Sequence, residues 1–285
     1  MIVVVGGRGR LGQAIARAHA HEDVHVLDRS VYEPWSAPGS EELVRRHFAS
    51  GVAPKIVYVA SGLLDPRLPR MQLDAVNRWL PRNIIDAGTY LGFHTVTFGT
   101  VMERLIPDAN AYVASKAAFA ADLKDRDSGA AAVTHLRIHT LFGGGAPNAF
   151  MFLGQMLSAL RSQTRFAMTS GRQLREYHHI DDEVAAVRRI VDAGVTGSLD
   201  LSHGAPVSLR DIAEHVFASC GKSHLLAVGA LPEPAEENYG HVFQRPAALD
   251  GAGFRPTLPA IASYLQDELA RQDGTERAGT TNGQL

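Results

Sequence analysis

The sequence predicts an α/β fold, a Rossmann-type doubly wound parallel sheet with a smaller region towards the C-terminus, and three observations carry that prediction. Short runs rich in β-branched residues, at Ile2–Val5, Val24–Leu27, 56–60, 94–98 and Val133–Ile138, alternate with segments of helical periodicity, the signature of buried parallel strands and their crossover helices. A glycine-rich turn, Gly6-Gly7-Arg8-Gly9-Arg10-Leu11-Gly12, stands between the first strand and the first helix. From Gly143-Gly144-Gly145 onward the alternation becomes irregular, which marks a change of architecture.

Taken in order, the first strand is four β-branched residues, and the helix that follows carries Ala14, Ile15 and Ala18 on one face. Between them Gly6 permits a tight turn. Gly9 lets a backbone approach a pyrophosphate, Gly12 lets the helix lie close on the sheet, and the helix N-terminus offers free N–H groups to phosphate. Arg8, Arg10 and Leu11 fill the turn. Asp28 ends the second strand, where a carboxylate can bond the adenine-ribose hydroxyls of NAD. Arg29 beside it, with Arg8, can instead neutralise the 2′-phosphate of NADP.

Residues 31–39 read as a loop, and Ser40 as the cap of a helix over 41–49. The third strand ends in Ala60-Ser61-Gly62, small residues past which a cofactor can run. Residues 72–87 have helical periodicity, with Pro81 as an interior flaw. A strand at 94–98 and an alanine-rich helix from about 111 to 124 come next. Beyond Gly145 helices are expected near 149–160, 182–193, 209–218 and 259–270, with short strands near 165–168, 198–201 and 225–228. This divides the chain into a dinucleotide-binding domain at 1–145 with a return segment at about 178–203, a substrate-binding region at 146–177 and 204–270, and a polar tail at 271–285 expected to be disordered.

Composition is that of an ordinary soluble globule: 285 residues, 45% hydrophobic, 20% charged, net charge −2. No basic excess argues for a nucleic-acid surface, and no apolar run reaches the roughly 20 residues of a membrane helix. Cys220 is the single cysteine, which suits a reducing cytoplasm and excludes an intrachain disulfide. The spacing of histidines and cysteines suggests no metal site, and the adjacent His178 and His179 read as surface or packing residues.

Tyr112 and Lys116 carry the chemistry. Four residues apart on a helix, they share a face at about 6 Å of rise. An ammonium beside a phenol favours the phenolate, and a phenol so tuned can protonate a carbonyl oxygen or deprotonate an alcohol. A hydroxyl at the end of the preceding strand can polarise the same oxygen. Thr97 is the first choice and Thr100 the second.

Gly6-x-x-Gly9-x-x-Gly12 together with Tyr112-x-x-x-Lys116 resembles the extended branch of the short-chain dehydrogenase/reductase superfamily, the NAD-dependent epimerase/dehydratase family acting on nucleotide sugars. Asn77, the segment Arg175 to Asp182, Gly197 to Leu209, Arg245-Pro246 and Phe254-Arg255-Pro256 extend the resemblance to about residue 270. It implies that Tyr112 is the general acid/base and Lys116 its activator and a nicotinamide-ribose contact. Asn77 is expected beside the cofactor, NAD or NADP. Arg175 and Arg245 would grip a substrate diphosphate, a task suited to a guanidinium fork. The resemblance also implies a homodimer, through the helices at 72–87 and 111–124.

Dehydratases of that family resemble one another in an Asp-Glu pair after the catalytic threonine. Phe98-Gly99 stands there in this chain, which disfavours dehydration. Reduction of a 4-keto sugar is the leading expectation, epimerisation the alternative. A cofactor-binding regulator without catalysis and an oxidoreductase acting on a flavonoid-type or steroid-type ketone stay open.

Overall fold

The structure is a computed structural model that describes residues 1–124 and 132–280. It divides into two units: residues 1–139, 184–202 and 243–252 form the first, and 140–183, 203–242 and 253–285 the second.

The first unit opens with β1 (Ile2–Val5), α1 (Arg10–Ala18), β2 (Val24–Leu27), α2 (Arg29–Tyr32), α3 (Glu41–Ala49) and β3 (Ile56–Val59). It continues with α4 (Arg70–Asp74), α5 (Leu80–Leu91), β4 (His94–Thr100), α6 (Met102–Leu105), α7 (Ala111–Lys124) and β5 (Val133–Ile138). After β6 (Thr140–Phe142), α8 (Phe152–Ser162), β7 (Phe166–Ala167), β8 (Leu174–Arg175) and β9 (Tyr177–His179), the chain re-enters it along α9 (Ile180–Asp192) and β10 (Gly197–Asp200). The rest is β11 (Val207–Ser208), α10 (Leu209–Ser219), β12 (Leu226–Ala227) and α11 (Thr257–Thr280).

Six strands of the first unit form one parallel sheet in the order β10-β5-β4-β3-β1-β2. The order reverses direction after β1, so the β1–α1 turn and the end of β3 lie at the point where such sheets bind ligands. β1 and β3 are buried because they are inner strands. Val3, Val5, Val57 and Val59 meet Val44, Phe48, Leu80, Ile84 and Phe93 in one apolar core, and the Phe48 and Phe93 rings sit edge to face at 5.4 Å.

Residues 31–39, expected as a loop, coil into α2 and a 3₁₀ turn over Glu33–Ser36. The reason is tertiary: Trp35 is driven into the core at 3% exposure, and Asn83 donates to the Trp35 and Ala37 carbonyls at 2.7 Å. The helix expected over 72–87 is three pieces. A π turn at Ala75–Trp79 separates α4 from α5, and Pro81 falls in the first turn of α5. Proline has no N–H to give to the carbonyl four residues back, and the wide turn removes that demand.

The second unit is held by helices α8, α10 and α11. Met156, Leu160, Ile212, Val216, Phe217, Ile261 and Leu265 make its core, with Phe166 stacked on Phe217 at 5.6 Å. Three two-stranded pairings edge it: parallel β6–β9 and β7–β12, and antiparallel β8–β11.

Two boundaries differ from the sequence reading. Residues 243–252, expected with the substrate region, belong to the first unit, where Phe243 packs edge-on against His139 at 5.2 Å. Helix α11 runs on past Arg271 to Thr280, through residues expected to be a disordered tail. An Arg271–Glu268 ion pair one turn apart carries it beyond the predicted end. The last five residues of that expected tail, 281–285, lie outside the described residues. Among the described residues no helix is long and apolar enough to cross a membrane.

Candidate active site

The glycine-rich turn is a cradle that larger residues would fill. Gly6 has φ +86°, and a Cβ there would meet Ser61 N at 2.4 Å and Cα at 2.6 Å, so β1 passes against the end of β3 with no room for a side chain. A Cβ at Gly12 would strike the Gly6 carbonyl at 2.4 Å, and one at Gly7 the Val26 side chain at 2.2 Å. Gly9 closes the turn by donating to Gly6 O at 2.9 Å, and it begins α1 with no side-chain cap. The first N–H groups of α1 are therefore presented to whatever occupies the turn.

At the end of β2, Arg8 donates to Asp28 at 2.7 Å, and Arg29 turns to Glu33 at 3.0 Å. The two arginines that favoured a 2′-phosphate thus already have carboxylate partners.

Asn77 lies fully buried on the π turn, not on a regular helix. Its amide spans the loop after β3, accepting from Leu63 N at 3.0 Å and donating to Leu63 O at 2.9 Å and Ser115 Oγ at 3.0 Å. Ser115, which sequence reasoning missed, donates in turn to Tyr112 O at 2.6 Å. Asn77 therefore fixes the 60–63 loop to the helix that carries Tyr112 and Lys116. A Cβ at Gly62 would stand 3.8 Å from Lys116 Nζ, so the end of β3 runs directly beside the lysine.

Lys116 is buried and Tyr112 partly exposed, one turn apart on α7 in the first unit. Thr100 is the β4 side chain that acts on the Tyr112 phenol, pulling it down, and its hydroxyl accepts the Met102 N–H at 3.3 Å. Thr97, the first choice for that place, is 1% exposed and bonds His135 Nδ1 at 2.9 Å instead. Neighbouring outward positions alternate along a strand, so only the residue at the very end of β4 meets the phenol.

The electrostatics also differ from the expectation. Lys116 Nζ donates to Phe98 O at 2.8 Å, so the ammonium faces a strand carbonyl. Burial, and then the charge of Glu103, push the Tyr112 phenol up to about 12 against the pull of Thr100. Burial pushes Lys116 down to about 8, with Glu103 opposing. Desolvation outweighs the amine–phenol attraction that the spacing suggested.

The diphosphate candidates lie in different units. Arg175 donates to Leu174 O at 2.9 Å and pairs with Glu237. Arg245 clamps the turn after it, donating through Nη2 to Leu249 O at 2.7 Å and also to Ala252 O, which is a structural task.

The buried His178 lies between Glu183 at 2.6 Å and Glu176 at 3.0 Å. Donor atoms of Glu176, His178 and His203 come within 4.8 Å of one another, a cluster the linear spacing concealed. Glu176 also accepts the His203 backbone N–H at 2.8 Å, and His203 Nδ1 accepts from Ala205 N at 3.1 Å.

Glycine cradle, uncapped helix and tyrosine–lysine helix sit on one Rossmann-type parallel sheet. Residues 90–199 match the model of the NAD dependent epimerase/dehydratase family, the family the sequence resembles. Solved structures agree on the fold. The chain is similar to TunA, an NAD-dependent NDP-hexosamine 5,6-dehydratase of tunicamycin biosynthesis (20% identity, 96% of this chain and 97% of that one, TM-score 0.72). It is also similar to the UDP-N-acetylglucosamine 4-epimerase of Methanobrevibacter ruminantium M1 (14%, 96% and 98%, 0.72). A third is the UDP-glucose 4-epimerase of Thermus thermophilus in complex with NAD (17%, 94% and 98%, 0.70). Comparison with curated proteins finds no match. At these identities the likeness fixes the fold and leaves the reaction to the site itself.

Proposed function

We propose that the chain is an NAD(P)-dependent oxidoreductase acting on a nucleotide-activated sugar, and that its reaction is reduction of a 4-keto sugar with Tyr112 as proton donor. The observation that carries this reading is the placement of Tyr112 one helical turn from Lys116, on the helix that Asn77 ties to the 60–63 loop.

The residues present fit a dinucleotide. Gly6, Gly9 and Gly12 leave backbone-lined space that a Cβ would fill, and the uncapped start of α1 suits a pyrophosphate. Asp28 suits ribose hydroxyls, and with Arg8 and Arg29 already paired we favour NAD over NADP. Ala60, Ser61 and Gly62 would flank the ring end, with Lys116 on the ribose. When bound, the nicotinamide supplies or accepts the hydride.

The chain's own residues handle the proton. A phenol held up to about 12 keeps its proton at neutral pH, which suits donation to a developing alkoxide. Thr100, whose side chain acts on the phenol, can help orient it towards the substrate oxygen. Arg175, in the second unit, remains our candidate for the substrate diphosphate. Arg245 does not, since its guanidinium is occupied by two backbone carbonyls.

Epimerisation is the second reading, favoured by the epimerases among the similar structures. The two separate on the dinucleotide recovered from denatured protein. Tightly held NAD supports the epimerase. An empty protein that oxidises added NADH or NADPH with a keto-sugar supports the reductase. Unchanged turnover in Tyr112→Phe would overturn the assignment of the proton donor.

A further inference from the structure

The mechanism above leaves a buried ionisable pair, Glu103 and His135, unused. Glu103, on α6, has a side chain only 1% exposed. Its Oε2 accepts the Thr100 backbone N–H at 3.2 Å, and its Oε1 lies 3.1 Å from His135 Nε2. His135 is fixed at its other nitrogen by Thr97 at 2.9 Å, and at its face by the edge of Phe119 at 5.3 Å. The glycine at position 99 makes this pairing possible: a Cβ there would stand 2.6 Å from both Glu103 Oε2 and His135 Nε2. Three elements and a missing side chain are thus arranged around one carboxylate.

We propose that Glu103 is a positioning residue of this site: anchored on His135 and on the Thr100 N–H, its carboxylate fixes the end of β4 beside the helix of Tyr112 and Lys116 and supplies the buried counter-charge to Lys116. The inference rests on the oxidoreductase reading for its purpose but on geometry for its content. Thr100 is the joint. Its N–H is held by Glu103, and its side chain acts on the Tyr112 phenol, so a shift of the carboxylate is passed to the proton donor.

The other charges nearby do not compete for this role. From β4, Thr100 bonds Glu103 and Thr97 bonds its partner His135, and from α7 Tyr112 and Lys116 feel its charge. Arg104 on α6 and Arg137 on β5 both pair with Asp200. A lysine buried without an opposing charge sheds its proton readily. Glu103 works against that loss at Lys116.

The chain has four lysines, at 55, 116, 124 and 222, so a pH titration of the intact protein labelled with ¹³C at the lysine Cε gives four signals, with Lys116→Met assigning the one of interest. Lys116 is expected to titrate near 8. In Glu103→Gln its midpoint should fall by about one unit, roughly tenfold in proton affinity, and Glu103→Asp should restore it to within a few tenths. A Lys116 midpoint that does not move in Glu103→Gln overturns the proposal, as does an Asp variant that behaves like Gln. Should Glu103→Gln not fold, the Glu103 carboxyl carbon of the unaltered protein gives the answer. An inflection at the pH where Lys116 loses its proton supports the pairing, and its absence overturns it. None of these readouts needs a dinucleotide. Failure to bind NADH in a separate fluorescence titration would refute the oxidoreductase reading and leave the role of Glu103 standing.

Discussion

Each unit of this protein buries a carboxylate–imidazole cluster, and the two are built to different ends. In the first unit, His135 has one carboxylate, Glu103, and a threonine hydroxyl at its other nitrogen. In the second, His178 has a carboxylate at each nitrogen, Glu183 and Glu176. Burial alone would push the His178 imidazole down, but the charges and hydrogen bonds of Glu183 and Glu176 outweigh it and hold it up to about 9. The two carboxylates thus favour a protonated His178, and through Glu176 it holds the chain at His203. Phe254 closes over both rings, at 4.9 and 5.5 Å. The Glu103 cluster instead ends on Thr100, beside a phenol and an amine. The difference teaches that a buried charge closed on itself sets structure, whereas one that leaves a hydroxyl pointing onward can set reactivity.

The sharpest way to break this contrast is kinetic. Tyr112→Phe should lower turnover roughly 100-fold or more with no change in melting temperature or NADH affinity, measured on the same preparation. A comparable loss in His178→Ala at a temperature where it is folded would erase the distinction.

Stability should divide the other way. His178→Ala strands two buried carboxylates and should cost about 3–5 kcal/mol. His135→Ala, which takes one of two partners from the Glu103 carboxylate and the imidazole from the Thr97 hydroxyl, should cost about 1–3 kcal/mol. Urea unfolding of both variants decides it, and equal losses would make the two clusters equivalent.

The pH dependence gives a finer test. Folded His178 keeps its proton up to about 9, whereas the unfolded chain releases it near the ordinary 6.5. Its stabilisation is thus complete below about pH 6.5 and disappears as the pH rises through 9, with a fall of a few kcal/mol at most. Unfolding at pH 6, 7.5 and 9 should follow this fall in the unaltered protein and lose it in His178→Ala.

The smallest effect concerns the cofactor. Asp28→Asn should weaken NADH binding and shift preference towards NADPH by a few-fold, because Arg8 is released from its partner at 2.7 Å. Fluorescence titration with both dinucleotides measures it.

The linear sequence determined the sheet, the cradle and the tyrosine–lysine helix, because each is written locally. β-Branched runs, glycines at fixed spacing and a tyrosine four residues before a lysine need only their own neighbours to be legible. What only the tertiary structure decided is who meets whom. The end of β4 offers two threonines in sequence, and which one reaches the phenol depends on where α7 lies across it. The amine that seemed destined for the phenol is drawn to Phe98 O. Glu103, His135 and Gly99 are scattered residues until β4, β5 and α6 bring them together. Coulombic and desolvation energies depend on distance through space and on the exclusion of water, and neither is a property of position along a chain.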